Sequence, residues 1–199
     1  MASQTDICNR ALIKLGGLRI TSLDDPSKQA RVLSALWDAS VDAELADHPW
    51  AFAATRALIP SSSTPPPFGW AAAYPLPAGF LKMIEIGEDW VFYTPTFREG
   101  LFTIEGAAVL TDQGSPLKIR YVQRITNAGL FPPLFVDSLA CRLAAEACES
   151  LTQDLSKRQA ALQERTEALR KAKRTNDIQM PPQRGAPNSW ERSLYGLEG

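Results

Sequence analysis

The fold of this chain is decided by residues 25–56, DPSKQARVLSALWDASVDAELADHPWAFAATR. Asp25 and Pro26 form a helix start signal, because a carboxylate caps free N–H groups and Pro suits the first helical position. Apolar residues then recur every three or four positions on one face of a long helix: Ala30, Leu33, Trp37, Val41 and Leu45. His48 and Pro49 end this helix. The stretch predicts a junction between a helical part and an extended part.

The same reasoning predicts four helices, near residues 5–16, 26–47, 132–152 and 155–177. Thr5 or Asp6 can cap the first helix, which ends at Gly16 and Gly17. The third helix is rich in small residues, which allows close packing. The fourth carries three leucines seven positions apart, Leu155, Leu162 and Leu169. Their spacing predicts a narrow apolar seam, as on a helix outside a bundle or along a neighbouring subunit.

Short alternating runs separated by turn residues fill the middle of the chain. They predict strands at residues 70–74, 81–86, 90–93, 101–105, 107–111 and 117–122. We therefore predict an α+β fold, in which residues 1–54 and 127–178 form a four-helix bundle and residues 55–126 an inserted small antiparallel β domain. Residues 179–199 are rich in Pro and polar groups and form an extended C-terminal tail.

Composition narrows the class of protein. The net charge of −1 argues against a chain whose main task is gripping nucleic acid. Cys8, Cys141 and Cys148 are odd in number and are expected to be reduced core residues. No signal-peptide pattern and no apolar run near 18 residues is found, so neither secretion nor a membrane span is expected.

The search for chemistry predicts no catalytic, cofactor-binding or metal-binding residue. His48 is the only histidine, and its expected role is contact with the last carbonyls of a helix. Asp24 and Asp25 could bind a cation, but helix capping explains them more simply. Five acidic residues of the β domain could supply a hydrolytic pair, although solvated carboxylates are the commoner outcome: Glu85, Glu88, Asp89, Glu99 and Glu105.

Two further sets of residues allow alternative functions. Several aromatic side chains could line a ligand pocket, although core packing is the stronger expectation: Trp37, Trp50, Phe52, Trp70 and Tyr74. A basic cluster, Arg170, Lys171, Lys173 and Arg174, ends the fourth helix. A solvated helix end, an acidic neighbouring subunit and DNA all suit such a cluster, and the sequence leaves these open.

Five runs carry a family resemblance: ICNRAL at residues 7–12 with Leu15 and Gly16, ITSLD at 20–24, HPWAFA at 48–53, WAAAYPLP at 70–77 and FPPLFVDSLACRLAAEA at 131–147. In order and spacing they resemble the tail tubular protein A family, the gatekeeper or head-to-tail adaptor of short-tailed phages and related prophages. The resemblance covers residues 5–177.

The resemblance implies a structural virion protein without enzymatic activity or cofactor. Such proteins form twelve-subunit rings between the portal protein and the tail nozzle protein, and they extend the channel through which double-stranded DNA passes. The expected location is the virion tail, with the host cytoplasm during assembly. The loops at Glu88, Asp89, Asp112 and Gln113 are expected to contact the nozzle.

The C-terminal tail is expected to reach the portal. Trp190, Leu194 and Tyr195 are large anchors in a segment that cannot form a core of its own. Ser189 can cap a short helical turn that presents Trp190 and Leu194 on one side. A phage-associated hydrolase using acidic residues of the β domain, or a soluble ligand-binding module, remains the alternative to the adaptor.

Overall fold

The computed structural model describes residues 2–87, 91–92 and 102–180 of the chain. These residues combine helices with antiparallel sheets, so the fold is α+β. The chain divides into two compact units. A helical unit is formed by the residues up to Ala53 together with Arg124–Met180, and a β unit by Ala54–Gln123.

The four helices predicted from the sequence are present, with ends within a few residues of the expected ones. They are α1 Gln4–Leu15, α2 Lys28–Ala46, α3 Pro133–Leu151 and α4 Leu155–Gln179. Short 3-10 helices, Ala51–Ala53 and Ala128–Leu130, follow α2 and precede α3. Gly16 ends α1 with a positive φ of 69°, the left-handed conformation that glycine adopts without steric cost.

The starts of α1 and α2 differ from the prediction. Ser3 caps α1 and Asp6 completes a capping box by accepting from the Ser3 backbone N–H at 2.9 Å. Ser27, rather than Asp25, caps α2. The Asp25 carboxylate instead accepts from the backbone N–H groups of Thr21 and Ser22, at 2.8 and 3.2 Å. The Asp25 carboxylate thus stabilises the turn that precedes α2, because the N–H groups of that turn are the donors nearest to it.

Helix α3 lies at the centre of the helical unit, in contact with α1, α2 and α4. Its buried face alternates large and small side chains, including Phe135, Leu139, Ala140, Leu143 and Ala144. Small residues allow neighbouring helix backbones to approach closely. The predicted core residue Trp37 on α2 is 7% exposed, and all three cysteines are buried and free, as predicted.

The leucine seam predicted on α4 is not the face that packs into the helical unit. Leu155 is 74% exposed and Leu162 is 46% exposed, whereas Ala161, Ala172 and Asn176 are buried. The inward face therefore consists of small and polar residues. The close packing of α4 on the Ala-rich α3 explains this, because a leucine at the contact would hold the helices further apart.

Within the described residues of the β unit, seven strands form two antiparallel sheets. The bounds are β1 Ala54–Ile59, β2 Ala72–Pro75, β3 Phe80–Ile86, β4 Val91–Phe92, β5 Thr103–Glu105, β6 Ala108–Thr111 and β7 Leu117–Gln123. One sheet has the order β1-β7-β3-β4 and the other β2-β6-β5. The predicted strands of the β domain did not include β1, which pairs with β7 from Ala54↔Val122 to Ile59↔Leu117.

Residues from both sheets share one core. Tyr74 and Val109 of the three-stranded sheet pack with Met83, Ile86 and Ile119 of the four-stranded sheet. Leu117, Ile119 and Tyr121 alternate inward along β7, as the period of two in the sequence predicted. The β unit therefore has its own hydrophobic core.

Candidate interaction surfaces

A buried carboxylate links three helices of the helical unit. Glu44 on α2 is 0% exposed, and its Oε2 accepts from Arg165 Nη2 at 2.8 Å and from Arg142 Nη1 at 3.4 Å. The Ser138 hydroxyl donates to the other carboxylate oxygen. A buried charge is tolerated only when it is paired and hydrogen-bonded, and all three partners serve that purpose.

Asn176 fastens the end of α4 to the segment that follows α2. Its side-chain oxygen accepts from the Ala51 N–H at 2.7 Å, and its amide nitrogen lies 3.1 Å from the Pro49 carbonyl oxygen. The His48 Nε2 atom is 3.0 Å from Asp177 Oδ1 and 3.0 Å from Asn176 Nδ2. The His48 ring thus faces the last turns of α4, a position that the sequence did not predict.

Aromatic rings of the segment that follows α2 pack against α3. Trp50 is 2% exposed, donates from Nε1 to the Glu44 carbonyl oxygen at 2.9 Å, and lies 5.2 Å from the Phe135 ring in an edge-on geometry. The Phe52 ring lies 5.0 Å from the Phe135 ring and 6.1 Å from the Phe131 ring. These rings pack on one another, and of the five aromatic residues considered for a ligand pocket, Trp37, Trp50 and Tyr74 are buried core residues.

The basic cluster lies on the outer side of α4. Arg170, Lys171 and Arg174 are exposed, and Lys173 Nζ is 3.4 Å from Asp47 Oδ2. An open groove of about 750 Å³ runs over this surface and is lined by Thr166, Leu169, Arg170, Lys173, Arg174, Asp177 and Ile178. Ile178 is 75% exposed. The surface joins positive charge to apolar side chains, a combination that suits binding to a protein.

A second groove lies beside α1. It has a volume of about 600 Å³ and includes Asp6, Asn9, Arg10, Ile13, Phe131 and Val136 among its lining residues. Asn9 is buried and donates to the Ile20 carbonyl at 2.9 Å while accepting from the Ile20 N–H at 2.8 Å. Ile13 and Leu130 are each 57% exposed, and Leu18 is 80% exposed. This flank of the helical unit is thus partly apolar.

The structure brings together the described parts of the two predicted nozzle loops. The Gln113 side-chain amide lies over Gly87, so close that a Cβ at Gly87 would be 2.7 Å from it. Asp112 Oδ1 accepts from the Ala71 N–H at 2.8 Å, and the Tyr74 hydroxyl donates to the Gln113 carbonyl at 2.6 Å. Asp112 is exposed. Glu88 and Asp89 lie outside the described residues.

Charged residues also line a groove of about 470 Å³ in the β unit, among them Arg56, Glu85, Lys118 and Arg120. Glu85 is 4% exposed and forms an ion pair of 3.1 Å with Arg120. Glu85, one of the carboxylates considered for hydrolysis, is thus a member of a structural ion pair. Three others, Glu88, Asp89 and Glu99, lie outside the described residues. Within the described ranges, no group of three or more His, Cys, Asp or Glu side chains is placed to hold a metal ion.

Burial lowers the reactivity of two of the cysteines, Cys8 and Cys141. Burial raises the pKa of Cys8 to about 12, and burial likewise raises the pKa of Cys141. A thiol of raised pKa is a poor nucleophile because little thiolate is present.

No helix in the described part of the chain combines the length and apolarity that a bilayer crossing requires.

The predicted portal anchors Trp190, Leu194 and Tyr195 lie outside the described residues, so their role stays a prediction. No protein-family model matches the chain, and no curated protein shows a significant match.

Sequence reasoning missed several structural residues, among them Asn9, Glu44 and Arg165. Asn9, Glu44 and Arg165 are polar side chains on faces that pack inside the helical unit. A signal was available for Arg165, because Ala161, Arg165, Ala168, Ala172 and Asn176 recur at steps of three and four. Sequence periodicity is normally judged on large apolar residues, so the leucines of α4 gave a stronger signal than this pattern of small and polar residues.

Proposed function

We propose that this chain is a structural head-to-tail adaptor of a short-tailed phage or related prophage, without enzymatic activity. In this proposal it forms a ring, of twelve subunits by resemblance, between the portal protein and the tail nozzle protein. The ring extends the channel for double-stranded DNA and belongs to the virion, after assembly in the host cytoplasm.

The observation that carries the proposal is the structural position of the resembling runs. HPWAFA contains His48 and Trp50 in the segment fastened by Asn176. FPPLFVDSLACRLAAEA forms most of α3, the helix in contact with all other helices. The run WAAAYPLP contains β2, and ICNRAL contains the buried Asn9. The runs therefore coincide with residues on which the fold depends, as family-defining residues do.

The finer architecture belongs to the same proposal. Residues 1–54 and 127–178 act as a four-helix bundle that forms the body of the ring, and residues 55–126 as an inserted β domain that meets the nozzle through Asp112, Gln113 and the loop of Glu88 and Asp89. Residues 179–199 form the extension that binds the portal through Trp190, Leu194 and Tyr195.

Negative-stain imaging tests the proposal directly. The purified protein is imaged alone and mixed with the portal protein encoded in the same genome. We expect rings, or added density at one end of the portal. A monodisperse monomer that leaves the portal unchanged contradicts the proposal.

A truncated chain lacking residues 185–199 tests the portal assignment. We expect unchanged circular dichroism and weaker portal attachment, because a few large side chains supply most of the binding energy of a docking segment. Trp190→Ala is a smaller change with the same expected direction, and Ser193→Ala in the same segment is its matched control. Portal affinity that is unchanged by the truncation contradicts the assignment.

A further inference from the structure

One ring nitrogen of His48 lies within hydrogen-bond distance of two neighbouring side chains of α4. Its Nε2 atom is 3.0 Å from Asn176 Nδ2 and 3.0 Å from Asp177 Oδ1. The first group is an amide donor and the second is a carboxylate acceptor. An imidazole nitrogen carries either a lone pair or a hydrogen, so Nε2 accepts from Asn176 or donates to Asp177 and cannot do both together.

The Asn176 amide cannot turn to remove this conflict. Its oxygen accepts from the Ala51 N–H at 2.7 Å, and its nitrogen lies 3.1 Å from the Pro49 carbonyl oxygen. If the oxygen and the nitrogen of the amide were exchanged, a donor would face the Ala51 N–H and an acceptor would face the Pro49 carbonyl. The second hydrogen of the amide nitrogen therefore faces His48.

The Asp177 carboxylate is the adjustable partner. The Asp177 side chain is 61% exposed, whereas the His48 side chain is 16% exposed. Water can replace the ring as a partner of an exposed carboxylate, so Asp177 loses little when the ring carries no hydrogen on Nε2. An imidazolium has a hydrogen on both nitrogens and forms a charge-assisted bond to a carboxylate, which is stronger than a neutral hydrogen bond.

Other charged side chains approach this joint from α4 and from the end of α2. Asp47, which precedes His48, is 3.4 Å from Lys173 Nζ and 3.6 Å from Arg165 Nη2. Arg174 on α4 is exposed. Lys173 and Arg165 are thus paired with a different carboxylate, and Asp177 remains for the ring.

Aromatic rings and a buried carboxylate lie on the remaining sides. The Trp50 ring is 5.0 Å from the His48 ring, and the Phe135 ring of α3 is 5.2 Å from that of Trp50. Glu44, one turn earlier on α2, is neutralised by two arginines. The unperturbed pKa of histidine is about 6.5, so the imidazole is the group of this joint whose charge normally changes near neutral pH.

We propose that His48 is a pH-dependent switch at the end of α4, which accepts from Asn176 when neutral and donates to Asp177 when protonated. Asn176 stays bonded to Pro49 and Ala51 in both states. Protonation adds Asp177 to the contact and fastens the last turn of α4. This contribution is present at low pH and is lost as the pH rises through the pKa of His48. The end of the helix that precedes the C-terminal tail is therefore held more firmly in mild acid.

A nuclear magnetic resonance titration tests the pairing with Asp177. His48 is the only histidine, so the protein without a histidine tag gives a single imidazole Cε1–H signal. We expect Asp177→Asn to lower the apparent pKa of His48 by at least about 0.5, because a nearby carboxylate favours the charged ring. Glu167→Gln removes a carboxylate from an exposed position of the same helix and is the matched control. Equal titration of the wild type and Asp177→Asn overturns the proposal.

The neutral state has its own test. If Nε2 accepts from Asn176, the hydrogen of the neutral ring lies on Nδ1. Nitrogen chemical shifts of the ring at high pH distinguish the two tautomers. We expect the Nδ1–H tautomer, and a neutral ring that carries its hydrogen on Nε2 overturns the proposed exchange of partners.

Amide hydrogen exchange measures the effect on the helix. After correction for intrinsic exchange rates, we expect wild-type protection factors in residues 177–180 to be about threefold higher near pH 5.5 than near pH 8, the size expected of a partly exposed ion pair. Helix α1 is the internal reference. His48→Gln keeps a hydrogen-bonding side chain that does not titrate, so it is expected to abolish the difference. Equal wild-type protection at both pH values contradicts the switch, as does a difference that persists in His48→Gln.

Asp177→Asn keeps the exchange test decisive if circular dichroism shows that His48→Gln is misfolded. The Asp177 side chain is 61% exposed, so its substitution is expected to leave the fold intact and to abolish the pH difference. Neither measurement requires a ring or a portal. This inference and the proposed adaptor function can therefore fail separately.

Discussion

Arg165 on α4 donates two hydrogen bonds to one oxygen of the buried Glu44 carboxylate on α2, at 2.8 Å from Nη2 and 3.2 Å from Nε. Two donors of one guanidinium hold the carboxylate in a defined position. The pair connects α4 to the interior of the helical unit, while Leu155 and Leu162 of the same helix remain exposed.

Removal of Arg165 is expected to destabilise the helical unit. Arg165→Met keeps much of the side-chain volume but leaves Glu44 with fewer partners, and loss of one member of a buried pair costs about 3 kcal/mol. Urea unfolding followed by far-ultraviolet circular dichroism measures the change. Arg158→Met, an exposed position on the same helix, is the control. Equal stabilities of the two variants contradict the structural role of the pair.

Trp37 tests the core of α2. Trp37→Ala removes a large side chain that is 7% exposed, and such truncations cost about 3 to 5 kcal/mol. The free energy of unfolding is again the measurement. Ser34→Ala, at an exposed position of α2, is expected to change stability by less than about 0.5 kcal/mol. An unchanged unfolding midpoint for Trp37→Ala shows that the residue does not contribute to the core.

Asn176 controls the end of α4. Asn176→Ala leaves the partly buried Ala51 N–H without the acceptor that lies 2.7 Å away, and such a loss costs about 1 kcal/mol, the lower end of the range for buried donors. We expect amide hydrogen exchange to accelerate in the last two turns of α4 and in residues 50–53, while α1 keeps its protection. Thr175→Ala, on the exposed neighbouring residue, is the control. If Asn176→Ala and the wild type show the same amide protection in these segments, Asn176 does not fasten the end of α4.

The hydrogen-bonded carboxylates Asp6 and Asp25 predict a pH dependence of the stability. The Ser3 backbone N–H and hydroxyl lower the pKa of Asp6, and the Thr21 and Ser22 N–H groups lower that of Asp25. A carboxyl whose folded pKa lies below its model value of 3.8 contributes stability that is present above 3.8 and lost as pH falls through the folded pKa.

Thermal unfolding between pH 6 and pH 2.5 measures this contribution. The stability difference between wild type and Asp25→Asn is expected to be largest at pH 6 and to shrink as the pH falls towards 2.5. Asp24→Asn removes the same formal charge from the adjacent residue and controls for the change in net charge. A difference that grows towards low pH has the wrong sign for this mechanism.

Gly87 is expected to resist substitution because of its backbone. Its φ is +84°, a conformation that costs a residue with a Cβ about 1 to 2 kcal/mol. The Gln113 amide is the end of a flexible side chain and can move away from a new Cβ. Gly87→Ala should therefore destabilise the β unit equally in a Gln113→Ala background, whereas Gly87→Asn should be milder because Asn tolerates this conformation better. Full rescue by Gln113→Ala would show that contact, not backbone conformation, is the cause.

Local patterns predicted the elements well and their partners poorly. The four helices and most strands follow from repeats of three to four or of two residues, which depend on neighbours along the chain. The assignment of β6 and β7 to different sheets does not follow from such repeats, because the short turn between the two strands is equally compatible with a hairpin. Likewise, the acceptor of Asn9 and the role of Asp25 depend on chain segments that fold back onto them.

The sequence by itself determined the α+β class, the helix stretches, the burial of Trp37 and of the three cysteines, and the runs on which the adaptor proposal is based. Only the tertiary structure decided which face of α4 is buried. Leucines and small residues each form a periodic stripe on that helix, and hydrophobicity alone favours the leucines. The Ala-rich α3 and the buried Glu44 select the other stripe, because close backbone packing and the pairing of a buried charge exist only once the helices have met.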